Sequence, residues 1–324
     1  MSTYENLHGR RVNVVSSNPS NPKEGEVWYN STLGLIKGYV LSPATVSSGG
    51  NTTVARSQLG GCGASQNSGI VFGGEAPSVP TITAKTEEYD GTSWSNGGDA
   101  PTGKSDMHSS GTQTAALWGG GSPTSSASYL YDGSSWTGTG AMTFANRDVY
   151  GGSAGTSTAA LSIGGFISPG NYSAVMQTFD GSSWTNIPQT FPSAPKTNTF
   201  STAGIQTACI SAGPGTDSIE WNGSTWTATN NLATPLNSAV HSGTVSGSVL
   251  MGGGPGYKTT IQTWDGTNWS NSPLSLSTGR SQAVEAGTAT ASYIAGGVDG
   301  SPTNSAATEE FNAAAVATKT LTTG

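Results

Sequence analysis

Residues 87–94 read EEYDGTSW, and the pattern returns as YLYDGSSW at 129–136, QTFDGSSW at 177–184, IEWNGSTW at 219–226 and QTWDGTNW at 262–269. The closing tryptophans, Trp94, Trp136, Trp184, Trp226 and Trp269, stand 42, 48, 42 and 43 residues apart. A period of that size marks a repeat in which each copy is one supersecondary unit. A sixth copy, EEFNAAAV at 309–316, keeps an aromatic at Phe311 but has lost the glycine and the tryptophan, as terminal repeats often do.

Upstream of each turn an apolar run ends in small residues: IVFGG to Gly74, ALWGG to Gly120, LSIGG to Gly165, CISAG to Gly213, VLMGG to Gly253 and YIAGG to Gly297. Further upstream a third strand-like segment begins near Arg56, Lys104, Arg147, Lys196, Asn237 and Arg280. Each copy thus reads as strand a from the basic residue, strand b ending in the glycines, strand c ending in an aromatic, and strand d opening at tryptophan. Asp90, Asp132, Asp180, Asn222 and Asp265 each precede a glycine, a dipeptide that supplies the positive φ angles of a tight c–d hairpin. The double glycine is expected to let backbones approach near a crowded centre.

Four strands in about 40 to 50 residues is the size of a propeller blade. The fold expected is all-β: a six-bladed β-propeller over residues 45–324, preceded by an extension over residues 1–44. The aromatic pairs are expected to wedge between blades. Burying one tryptophan, about 150 to 250 Å² at about 25 cal/mol per Å², contributes roughly 4 to 6 kcal/mol gross. Closing the ring removes exposed sheet edges. Strand-like segments around Val46 and Val316 can each complete it, and the sequence does not choose between them. Within the extension, Glu24 to Val40 reads as a β-hairpin, VWYN then LIKGYV around a turn at Thr32 to Gly34. A segment this small needs a partner to bury a core.

Composition narrows the partners. Charged residues are 10% of the chain and the net charge is −7, with no basic cluster beyond Arg10-Arg11. That excludes a nucleic-acid binder that must neutralise a row of phosphates. No run approaches the roughly 20 apolar residues of a membrane span, and the N-terminus lacks the apolar core of a secretion signal. Cys62 and Cys209 fall on different expected strands, so neither a disulfide framework nor a metal knuckle is expected, in keeping with folding in a reducing cytoplasm.

The recurring GG, aromatic-Asp-Gly and Trp resemble the Kelch family over residues 46 to 320. Segments such as GTQTAAL and TEEYDGTSW are similar to Kelch-type repeats of tailed, often marine, bacteriophages that occur in virion structural and tail-fibre proteins. NPSNPKEGEVWYNSTLGLIKGYV is similar to a hairpin module of phage fibre proteins. The resemblance implies a Kelch-like propeller on the particle exterior as a tail fibre, spike or host-attachment adhesin, assembled in the host cytoplasm and present in many copies. Capsid decoration with a purely architectural role is an alternative. The extension would join other virion proteins, and the propeller would meet a host-surface glycan or receptor, without nucleic acid, membrane insertion or cofactor.

Long b–c and d–a connections leave one rim as the candidate binding surface. On it, Phe166, Tyr172 and Tyr257 are placed to stack on sugar rings, and Asn171, Lys258, Asp299 and Asn304 to bond hydroxyls. The basic column Arg56, Lys104, Arg147, Lys196 and Arg280 either rings a channel mouth as an anion site or bonds loop carbonyls and acids such as Glu88 and Glu310. Its recurrence favours the second. No catalytic set is expected: His8, His108 and His241 occupy unlike positions, unsuited to a copper site, and no nucleophile elbow occurs. A polysaccharide-acting propeller enzyme is the alternative from another class.

Overall fold

Short apolar runs broken by glycine leave no stretch with a helical period, and every regular element among the described residues is a β-strand. The structure is a computed structural model, and it describes residues 12–77, 82–147, 152–167, 171–192, 200–300 and 304–321.

In chain order the strands are Asn13–Val15 (β1), Val27–Asn30 (β2), Leu35–Ser42 (β3), Thr45–Ser48 (β4), Gly60–Ser65 (β5), Ser68–Phe72 (β6), Thr86–Tyr89 (β7) and Trp94–Asn96 (β8). There follow His108–Thr112 (β9), Ala115–Gly119 (β10), Ser128–Tyr131 (β11), Trp136–Gly138 (β12), Ser153–Thr156 (β13), Ala159–Ile167 (β14), Asn171–Phe179 (β15) and Trp184–Thr190 (β16). Next come Ser201–Ile205 (β17), Ala208–Ala212 (β18), Ser218–Trp221 (β19), Trp226–Ala228 (β20), Val240–Thr244 (β21), Gly247–Met251 (β22), Thr260–Trp264 (β23) and Trp269–Ser275 (β24). The last four are Val284–Gly287 (β25), Ala291–Ala295 (β26), Thr308–Asn312 (β27) and Ala315–Thr320 (β28).

They form seven four-stranded sheets, an arrangement consistent with a β-propeller. Sheets 1 to 5 are β5–β8, β9–β12, β13–β16, β17–β20 and β21–β24, each a run of consecutive strands. Sheet 6 is β25, β26, β27 and β4, so the chain's early strand finishes the sheet that the last repeat leaves short. The inner strands β5, β9, β13, β17, β21 and β25 contact one another in a closed cycle. The remaining sheet, β1-β2-β3-β28, joins the expected hairpin to a parallel strand on one side and the C-terminal strand on the other.

The seventh sheet corrects the expectation of six. β4 occupies the edge of sheet 6, which leaves β28 to pair with β3 from Ala315↔Ser42 to Thr320↔Lys37. Met1–Thr45 with Ala313–Gly324 and Val46–Asn312 are accordingly two compact bodies, and the C-terminal strand groups with the N-terminal segment rather than with the repeats.

Four details of the repeat also differ. The inner strands begin at Gly60, His108 and Val284, four residues beyond Arg56, Lys104 and Arg280, because those cations are anchored in the preceding connection. In sheet 2 the positive-φ pair is Gly120-Gly121, whereas Gly119 ends β10 and packs on Met142 and Trp184. In sheet 4, Ala212 is an ordinary strand end. The glycine crowding is also not axial: a Cβ on Gly73 would strike the Lys104 carbonyl and the Met107 side chain of the next repeat.

The core lies between sheets. Phe72, Trp118 and Trp136 form one cluster, and Tyr89, Trp94 and Tyr293 lie in another.

Candidate functional site: the rim and the axial cavity

The repeat signature has a structural job in every copy where it is intact. Asp90 does not itself adopt positive φ; Gly91 does, at +92°. Asp90 Oδ1 instead accepts from the Thr92 and Ser93 amides at 2.8 and 2.7 Å, an Asx turn. Asp132, Asp180 and Asp265 repeat the pattern, and so does Asn222, at 3.0 and 2.9 Å. These bonds hold the Asp90 and Asp132 carboxyls down at about 2. The neutral Asn222 shows that the position needs an acceptor, not a charge.

Each tryptophan reaches back to the sheet before it. The Nε1 groups of Trp94, Trp136, Trp184 and Trp269 donate to Thr308, Thr86, Ser128 and Ser218 hydroxyls at 2.9, 3.0, 3.1 and 3.0 Å, and Trp226 Nε1 meets Met176 Sδ at 3.2 Å. Every acceptor lies on strand c. Four of the rings are buried and Trp226 nearly so, which leaves no face for a ligand.

The basic column is not one column. Arg56 is buried and donates to the Gly73 and Lys85 carbonyls and to Glu87 Oε1, at 3.0, 2.8 and 2.5 Å. Arg280 repeats this with Ala307 O and Glu309 Oε1 at 2.7 and 2.6 Å. Lys104 bonds the Pro123 carbonyl at 2.7 Å. Arg147 stands one residue out of register, and buried Asn146 takes the place of Arg56 by donating to the Gly164 carbonyl at 3.1 Å. Glu88 and Glu310 instead accept from the Tyr131 and Tyr89 hydroxyls, both at 2.6 Å. Lys196 and His8 lie outside the described residues.

On the rim, bridges such as Ser57↔Glu75, Arg147↔Phe166 and Ser281↔Val298 tie the segment before each inner strand to the b–c connection, so both lie on one side. Phe166 and Tyr172 meet edge to face at 5.4 Å, with the Arg147 guanidinium 4.5 Å above Phe166. Asn171 is the first residue of β15; its side chain lies outside the described residues. Tyr257 and Lys258 of sheet 5 form a second group with Asp299-Gly300 of sheet 6, since a Cβ on Gly300 would touch the Tyr257 ring. Tyr172 and Tyr257 are exposed, and Tyr257 has a left-handed backbone, φ +51°. Asn304 is used structurally, donating to the Glu75 carbonyl at 2.5 Å.

Sequence reasoning missed the centre of that rim. Gln58, Asp106, Ser238 and Gln282 share left-handed φ values of 52° to 57°. They line one 140 Å³ cavity, bounded by residues from all six inner strands or the segments leading into them. The Asp106 amide donates to the Gln58 carbonyl at 2.9 Å, and the Gln58 amide to the Gln282 carbonyl at 3.0 Å, so the backbone is stitched around the axis. Strained non-glycine backbone of this kind concentrates at functional sites. The signal was present as a fixed offset: each lies five residues before the inner-strand glycines Gly63, Gly111, Gly243 and Gly287.

The fold recurs among solved structures. A solved structure of YjhT shares it. That structure aligns with a TM-score of 0.60 and 12% identity, covering 82% of this chain and 99% of YjhT. No family model and no curated protein matches the sequence. Among the described residues no group of three or more His, Cys, Asp or Glu side chains is placed to hold a metal ion. Cys62 and Cys209 are buried and free, and burial raises both thiols, Cys209 to about 12.

Proposed function

We propose that residues 46–312, whose inner strands close into a cycle, are a Kelch-like β-propeller carried on the exterior of a tailed-phage particle as a tail fibre, spike or adhesin. It binds a host-surface glycan through the rim and does no chemistry. The observation that carries this reading is the pair of exposed tyrosines, Tyr172 and Tyr257, on the rim of irregular connections. Aromatic faces with neutral polar neighbours suit hydroxyl-rich ligands, and weak contacts gain strength from display in many copies.

The attachment role of the terminal sheet draws support from a row of exposed apolar side chains across it. Val14 pairs with Tyr29, Tyr29 with Ile36, and the Leu321 amide bonds the Ile36 carbonyl at 2.9 Å. A single sheet with such a face is completed by something it packs on.

The test is binding of the labelled full chain to host cells and a glycan panel. Saturable binding that a Tyr172→Ala/Tyr257→Ala pair abolishes supports the adhesin. No binding, with particles destabilised when the chain is removed, supports capsid decoration instead. Glycan cleavage by pure protein would establish the enzyme reading.

A further inference from the structure

A second cavity, of 150 Å³, lies further along the axis, and six residues border both cavities: Gly61, Ser109, Ser153, Thr202, His241 and Glu285. Each comes from a different inner strand, two residues before that strand's glycine, so they form a waist. Most of its polar groups are committed to neighbours. Ser109 Oγ donates to the Gly61 carbonyl at 3.0 Å and Ser153 Oγ to the Ser109 carbonyl at 2.9 Å. Thr202 Oγ1 meets Ser211 Oγ at 2.8 Å, and the two His241 ring nitrogens meet Ser201 O and Ser248 Oγ at 3.1 and 2.9 Å.

Glu285 is different. Both carboxyl oxygens are shut off from solvent and neither has a hydrogen bond of good geometry. The Ser242 hydroxyl across the sheet boundary is close enough to favour the charged form, but burial dominates and raises the carboxyl well above its usual range. Among the described residues no lysine or arginine lines either cavity, and the acid at the mouth, Asp106, is already paired with the Arg147 guanidinium at 3.5 Å, which leaves Glu285 as the carboxylate without a cation. His241 supplies no charge, because burial lowers its imidazole to about 4. A buried carboxylate without a partner is costly, so it takes either a proton or a cation.

We propose that the axial waist binds one small cation, an ammonium group or an alkali ion, with Glu285 as its charged ligand and the hydroxyl-lined cavities on either side as its path. One carboxylate in a ring of neutral groups suits a single positive charge; a divalent metal ordinarily recruits more anionic oxygens. This site is independent of the rim tyrosines.

The test is thermal melting of the full chain at pH 8 with tetramethylammonium as the only counter-ion, followed by titration of methylammonium chloride or rubidium chloride. Either should raise Tm by about 2 to 3 °C at tenfold excess over its Kd. A rise with methylammonium alone assigns an ammonium ligand, and one with rubidium assigns an alkali ion. Glu285→Gln should abolish the rise. Glu285→Asp, which keeps the charge but withdraws it by one methylene, should weaken binding at least about tenfold. No rise above an equal addition of tetramethylammonium chloride, or unchanged affinity in either variant, overturns the proposal.

Discussion

Trp94 Nε1 donates to Thr308 Oγ1 at 2.9 Å across 214 residues of sequence, and the same ring meets Tyr293 edge to face at 5.6 Å. The bond joins sheet 1 to sheet 6. It repeats, at the seam of the cycle, the contact that joins consecutive sheets elsewhere.

Trp94→Ala should therefore cost about 3 to 5 kcal/mol, the range for truncating a buried aromatic. Trp94→Phe keeps most of the packing, strands the Thr308 hydroxyl and should cost less. Urea unfolding followed by circular dichroism measures both, and equal losses would show that packing does not matter at the seam.

Arg56 and Glu87 are both buried, as are Arg280 and Glu309. Arg56→Met leaves Glu87 buried without its cation and should cost about 3 to 5 kcal/mol. Replacing both partners with apolar residues should recover much of that loss, which a double-mutant cycle in urea reads directly. Arg56→Lys should not substitute, because one ammonium cannot span two carbonyls and a carboxylate in that geometry.

Burial lowers His108 and His241 from 6.5 to about 4. The unfolded chain then binds more protons than the folded one between those values. Their contribution to stability is complete above pH 6.5 and is lost as the pH falls through 4. Asp90 and Asp132, held at about 2, add a second loss below the ordinary carboxylate value of 3.8. Glu285 has the opposite sign: its raised carboxyl stabilises below the unfolded value and loses that contribution as the pH rises through the folded one. Urea midpoints from pH 3 to 8, about the range that spans these groups, should fall below pH 6.5. In His108→Asn/His241→Asn the decline between 6.5 and 4 should flatten.

Gly111 sits at φ +114°, and a Cβ there would collide with the Ala115 carbonyl. Gly155, Gly204, Gly243 and Gly287 share the conformation at +114° to +130°. Gly111→Ala should destabilise by about 1 to 3 kcal/mol. Gly256→Ala serves as the control, with positive φ but nothing within 4 Å of the added carbon. It should lose only its backbone preference, about 1 kcal/mol. The difference between the two melts isolates the collision.

The strand content, the repeat period, the tight c–d turns and the placement of the tryptophans in the core were all legible in the sequence, whereas the side-chain bonds of Asp90 and its counterparts within those turns were not. Each is a local property of eight to twelve residues that recurs, and repetition averages out single substitutions such as Asn222. The basic residues were read correctly as bonding loop carbonyls at Arg56, Lys104 and Arg280, but the acids are Glu87 and Glu309 rather than Glu88 and Glu310, and the one-residue shift at Asn146-Arg147 is invisible without knowing which side chain reaches the Gly164 carbonyl. Which terminus completes sheet 6 was decided only in three dimensions. β4 and β28 have equal claims as isolated strands, and the choice depends on which free edge each reaches. The axial waist likewise exists only in the folded cycle, since its six residues are drawn from six inner strands and nothing local marks Glu285 as facing them.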